Sequence, residues 1–107
     1  MQNVYKVFVT CPKSHTATLI EAMSQAGAGN VGNYTHCAFI TDGFGNYKPQ
    51  SGSNPYKGEV GQMSREEEDK IEMVCPKENL EKVVQAIKDN HPYETPTIDI
   101  IESKLFT

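Results

Sequence analysis

Val9-Thr10-Cys11-Pro12-Lys13 and Met73-Val74-Cys75-Pro76-Lys77 share the phrase Cys-Pro-Lys, and each closes an apolar, strand-like run just before a helix-like one. Superposing the two phrases pairs Leu19, Ile20 and Met23 with Val83, Val84 and Ile87, the i, i+1, i+4 stripe of an amphipathic helix. The chain therefore reads as two copies of one strand-helix unit. The copies are too few and too widely spaced for a solenoid, whose repeats run roughly 20–45 residues, so a pseudo-symmetric single domain over residues 1–107 follows. Cysteine at both positions serves as a small, buried apolar residue.

Outward from these phrases, a first strand runs from Val4 to Thr10, and Pro12 with Ser14 as N-cap opens a helix that Gly27 stops after Ala26. A second strand is expected over Asn33–Thr41. The Asp42–Gly61 stretch holds so many Gly and Pro residues that it reads as a loop or frayed hairpin tip. Glu66, Glu67, Glu68 and Asp69 form a solvated charge run ahead of a half-buried strand over Lys70–Val74. A second helix over Glu78–Asn90 and a last strand over Thr97–Ile101 complete the order strand, helix, strand, strand, helix, strand. Two such halves close as an α+β, ferredoxin-like split sandwich, with an antiparallel sheet in the order 4-1-3-2 and both helices on one face. Strands one and three then run in opposite directions, so Cys11 and Cys75 lie at opposite ends of the sheet and cannot join in a disulfide. Cys11, His15, the Asp42–Gly61 loop and His91-Pro92-Tyr93-Glu94 fall together at one end, which is where a site within one subunit belongs.

Composition narrows the function classes. A net charge of -4 and a single arginine, Arg65, disfavour a nucleic-acid groove, which needs clustered Lys and Arg. No apolar run reaches the length of a membrane span, and the N-terminus enters a strand pattern with no signal-peptide features. Three cysteines without a CxxC pair fit reduced thiols, so a cytoplasmic location is expected.

The letters G-x-G-x-x-G at Gly27–Gly32 follow a helix and precede a strand, the reverse of a dinucleotide fingerprint, and are explained by positive φ. Gly43-Phe44-Gly45 lacks the Lys and Ser or Thr of a phosphate loop and reads as turn glycines. His36 and Cys37 point to opposite faces if they lie in a strand, so they cannot chelate one ion together. The segment His91-Pro92-Tyr93-Glu94-Thr95-Pro96 holds an imidazole, a phenol and a carboxylate in a proline-stiffened turn, where Tyr93 anchors the turn or meets a ligand and Glu94 bonds backbone N–H groups. No nucleophile-base-orienter set is evident.

Three ordered motifs carry a resemblance that covers nearly the whole chain: Gly27-Ala28-Gly29-Asn30-Val31-Gly32-Asn33-Tyr34-x-x-Cys37, the glycine-rich loop from Gly43-x-Gly45 to Gly58, and His91-Pro92-Tyr93-Glu94-x-Pro96. Together they resemble the small accessory domain of the Nif-three-like, dinuclear-metal-centre hexamer proteins, which also occurs as a stand-alone chain. That domain is similar in fold to the CutA divalent-ion-tolerance proteins and, more distantly, to PII-like signalling proteins. The resemblance implies a CutA-like subunit that forms a homo-oligomer, a trimer. It carries over no two-metal site, because those ligands belong to a flanking domain that is not in this sequence.

Three readings result. The first is a non-enzymatic, homo-oligomeric binding or regulatory module with an unknown ligand or protein partner, for which Tyr93, Tyr34 and Cys37 are the ligand or turn residues. The second is a divalent metal-ion binder for Cu or Zn, with His91, Glu94 and Cys11 as donors and His36 contributed by a neighbouring subunit. The third is a small enzyme with an intersubunit site under the Asp42–Gly61 loop, using His91 or Glu94 as acid-base groups. In each, Tyr47, Pro49, Pro55 and Tyr56 give the loop apolar anchors for a neighbouring subunit.

Overall fold

Alternation sets the first strand: Val7, Val9 and Cys11 are fully buried while Lys6, Phe8 and Thr10 between them face the other way. In the computed structural model, which describes residues Met1–Thr107, this strand is β1, Gln2–Pro12. It is followed by α1 (Thr16–Gln25), β2 (Phe39–Tyr47), β3 (Ser64–Pro76), α2 (Leu80–Asn90) and β4 (Ile98–Leu105). The sheet is antiparallel in the order β2-β3-β1-β4, the expected 4-1-3-2 arrangement. Leu19 and Met23 of α1 and Val83 and Ile87 of α2 pack on Val7, Val9, Ile71 and Met73 in one fully buried cluster. Each such side chain contributes about 1.5–3 kcal/mol of hydrophobic burial.

The Cys-Pro-Lys repeat is one joint used twice. Pro12 (φ −58, ψ 144) and Pro76 (φ −59, ψ 145) leave their strands at the same angles and enter the 3-10 turns Lys13–His15 and Lys77–Asn79 before each α-helix. Cys11 and Cys75 are both buried, and the register Tyr5↔Cys75 and Cys11↔Asp69 sets them apart along the sheet as free thiols. The expectation that Ser14 caps the first helix is corrected. The extra 3-10 turn makes His15 the N-cap, no side chain caps the helix, and the Ser14 hydroxyl lies 2.8 Å from His15 Nδ1 instead. The far end of α1 closes as the glycines suggested. Gly27 (φ 111) donates to Ser24 O at 3.1 Å and Ala28 to Met23 O at 3.0 Å, the paired bonds of a Schellman cap.

The second strand lies further along the chain than Asn33–Thr41. Gly32 (φ 57) and His36 (φ 60) interrupt the extended run, and Cys37 N–H bonds Gly29 O at 2.9 Å, so pairing begins only at Phe39. His36 and Cys37 are consequently loop residues, and no strand pleat holds them on opposite faces. Asp42–Tyr47, expected as loop, is strand. Gly43 and Gly45 stay extended and pair with Glu68 and Glu66, so they are not turn glycines. The acidic run is likewise part of β3, which starts at Ser64 and outreaches β1, whose pairing ends at Pro12↔Glu68. The β2-β3 arm thus projects past the body of the sheet, and the irregular connection shrinks to residues 48–63. At the opposite pole, Gln2 pairs with Leu105.

Candidate functional site

The projecting arm, the 48–63 loop and the His91–Pro96 turn enclose a groove of about 600 Å³ whose lining includes Thr10, Tyr47, Tyr56, Glu68, Tyr93 and Glu94. Strand parity builds its floor. Glu68 lies directly across from Gly43 and beside Gly45, and it is only 8% exposed. A Cβ at Gly45 would stand 2.0 Å from Glu68 Oε1, so this glycine supplies space and no unusual backbone angle. The Tyr93 hydroxyl donates a hydrogen bond to Glu68 Oε2. Burial, followed by that bond to a carboxylate, raises the Tyr93 pKa far above the ordinary phenol value and keeps it a donor.

Tyr93 is the hub of an aromatic wall. Its ring centroid lies 6.2 Å from Tyr47, 6.1 Å from Tyr56 and 4.9 Å from His91, and Tyr56 meets the His15 ring edge-on at 6.1 Å. The loop is ordered by bonds of its own: Tyr47 donates to Lys57 O at 2.9 Å and Gly61 N–H to Pro49 O at 2.8 Å. Asn54 N–H donates to Glu94 Oε1 at 2.7 Å, the backbone-binding role read for Glu94. Tyr47 and Tyr56, read as anchors for a neighbour, pack on Tyr93 of the same chain.

His91 is 8% exposed and has both ring nitrogens engaged. Nε2–H donates to Thr10 O at 2.8 Å, and Nδ1 accepts the Tyr93 N–H at 3.1 Å, which fixes a neutral Nε2–H tautomer. Burial is the main cause holding its pKa below 6.5. Cys11 lies on the helix face of the sheet. Thr16 donates to Asp69 Oδ2 at 2.8 Å, which leaves its oxygen to accept the Cys11 thiol at 3.6 Å, and burial pushes that thiol's pKa up. Lys13 bridges Asp42 and Asp69, which face each other across β2 and β3, and lies 2.7 Å from Asp69. The hydrogen bonds to Asp42 and then Asp69 raise the Lys13 pKa, and Lys13 in turn lowers that of Asp69.

The three donors named within one chain do not form a cluster that could hold an ion. His91, Glu94 and Cys11 sit at one end of the sheet, each committed to other partners. His36 lies toward the far end, 2.9 Å from Glu21, with Tyr34 (74% exposed) and half-buried Cys37 near it. No three His, Cys, Asp or Glu side chains gather closely enough to hold an ion. The reading of residues 66–69 as a solvated run is corrected as well, since pleating turns Glu68 into the groove and sets Asp69 beside Lys13. Glu68 and Gly45 are therefore site residues that the sequence reading did not single out, and Tyr47 and Tyr56, read as loop anchors, join them in the groove. The one signal for them was the period-2 spacing of Gly43 and Gly45 opposite a strand of large residues.

No family model matches the chain. A relative from Halalkalibacterium halodurans named GTP cyclohydrolase 1 type 2 homolog is 41% identical over 99 residues, covering 92% of this chain and 27% of that protein. Among solved structures, a Bacillus cereus protein related to NIF3 superposes with a TM-score of 0.83 at 36% identity, covering 97% of this chain and 26% of that one. The periplasmic divalent cation tolerance protein CutA from Archaeoglobus fulgidus superposes with a TM-score of 0.69 at 15% identity, over 99% of this chain and 88% of its own, a likeness of fold alone. The chain spans about a quarter of the length of the first two. By sequence the chain belongs with that quarter-length segment of the Nif3-like proteins, and its fold is the α+β sandwich shared with CutA.

Proposed function

We propose that this chain is a non-catalytic binding module that works as a homo-oligomer, a trimer, and takes its ligand in the groove between the β2-β3 arm and the His91–Pro96 turn. The observation that carries the reading is the groove itself, a preformed concavity with a buried carboxylate at its floor and three tyrosines in its wall. The groups that could do covalent or acid-base chemistry are occupied. The Cys11 and Cys75 thiols are held protonated by burial, Cys75 with its pKa pushed up to about 11, and His91 has both nitrogens bonded. Ser14 pairs with His15, and no carboxylate hydrogen-bonds to that imidazole to orient it.

Assembly is supported by the sheet edges. β2 exposes Phe39 (67%), Ile40 (46%) and Phe44 (59%), and β4 exposes Ile101 (55%), on strands with one unpaired side. No helix is long and apolar enough to cross a membrane, and three free cysteines suit a reducing compartment such as the cytoplasm. Native mass spectrometry tests the assembly: particles of three 11.9 kDa chains are expected, and a monomer at tens of micromolar would overturn it. Titrating the same sample with Cu(II) and Zn(II) tests the metal reading, which requires His91 to release one of its two hydrogen bonds.

A further inference from the structure

Glu68 is the buried carboxylate of the groove. A carboxylate more than nine-tenths buried is expensive to keep without a compensating charge or a full set of donors. Within the chain only the neutral Tyr93 phenol bonds to it, at Oε2; Oε1 has no hydrogen-bond partner, and none of the ion pairs of the molecule includes Glu68. Lys48 and Lys57 also line the groove but lie exposed at its rim, and Lys57 is turned over the Tyr56 ring at 6.0 Å. The rings of Tyr47, Tyr56 and Tyr93 line the same groove as the carboxylate. A π face and a carboxylate oxygen without a protein partner attract the same partner, a cation with apolar flanks.

Resting on the reading of the groove as a binding site, we propose that it recognises an organic cation, an alkylammonium or guanidinium group seated between the tyrosine rings and paired with Glu68. A cation there would meet the unpartnered Oε1 and complete the coordination that Tyr93 begins at Oε2. Gly45 is what allows it, because any side chain at that position would occupy the place of the carboxylate. Such a group comes either as a free small amine or as a Lys or Arg side chain of a polypeptide.

The test uses the full chain, with amide NMR shifts of Gly45, Glu68 and Tyr93 followed on adding phenethylammonium, its neutral analogue 3-phenylpropanol and the anion 3-phenylpropanoate. Saturable shifts with phenethylammonium are expected, with the neutral and anionic probes at least tenfold weaker. Glu68→Gln, which keeps an acceptor for Tyr93, is expected to weaken the ammonium at least tenfold. Tyr56→Leu, at an exposed position, provides a second variant and is expected to weaken it severalfold. Nα-acetyl-lysine amide and Nα-acetyl-arginine amide separate the sources: stronger binding than phenethylammonium points to a polypeptide side chain, weaker binding to a free amine. Equal binding of cation and neutral analogue, or no effect of either variant, overturns the cation while leaving the groove a binding site. If no probe moves these resonances, both readings fail.

Discussion

Glu68 and its neighbours in sequence show why single residues were hard to read. In Glu66-Glu67-Glu68-Asp69 every position is acidic, so the period of two that sends alternate residues to opposite faces leaves no contrast in hydropathy. Glu68 is distinguished only by what pairs across from it. Gly45→Ala is accordingly expected to expel the carboxylate from beneath the strand, break the Tyr93 bond and cost on the order of 1–3 kcal/mol, read as a lowered denaturation midpoint. His91 gives a pH prediction. Its folded pKa is below 6.5 while the unfolded chain takes up the proton near 6.5, so the unfolded state binds more protons and stability falls as pH drops below that value. Urea midpoints at pH 7.5 and 5.5 should show this loss, and His91→Gln, which keeps a donor for Thr10 O, should reduce it. Asp69 acts in a separate window: Lys13 and then Thr16 hold its pKa below 3.8, so the stability from those bonds is fully present above that value and is lost as pH falls from there through the folded pKa.

Among the elements, the helices and central strands were legible because their apolar periods are backed by burial. Leu19, Met23, Val83 and Ile87 all face the core at zero exposure. Leu19→Ala should therefore cost about 2–5 kcal/mol, measurable by equilibrium unfolding. The edge strand β2 was displaced because glycines at 43 and 45 argue against a strand when taken alone. Pairing with β3 overrides that local preference, as tertiary context commonly does. The 48–63 connection is closed at its neck by the Gly61–Pro49 bond, so replacing residues 50–60 with a short turn should leave the sheet folded by circular dichroism. The same change should abolish probe binding in the groove, since Gln50, Ser53, Pro55, Tyr56 and Lys57, one whole wall, go with it.

At the scale of the molecule, the two halves agree in backbone to within a degree at Pro12 and Pro76, yet differ in what surrounds them. Lys13 bridges two carboxylates on the groove end, whereas its counterpart Lys77 lies over the Tyr5 ring at 5.5 Å. The assembly proposed through the sheet edges is expected to depend on β2: Phe39→Glu should yield lighter species in native mass spectra while the helical signal stays unchanged. The register Gln2↔Leu105 has one more consequence. Both chain ends leave side by side from the pole opposite the groove, so the whole unit can be grafted into a host polypeptide through a pair of adjacent seams, with its mouth still facing outward.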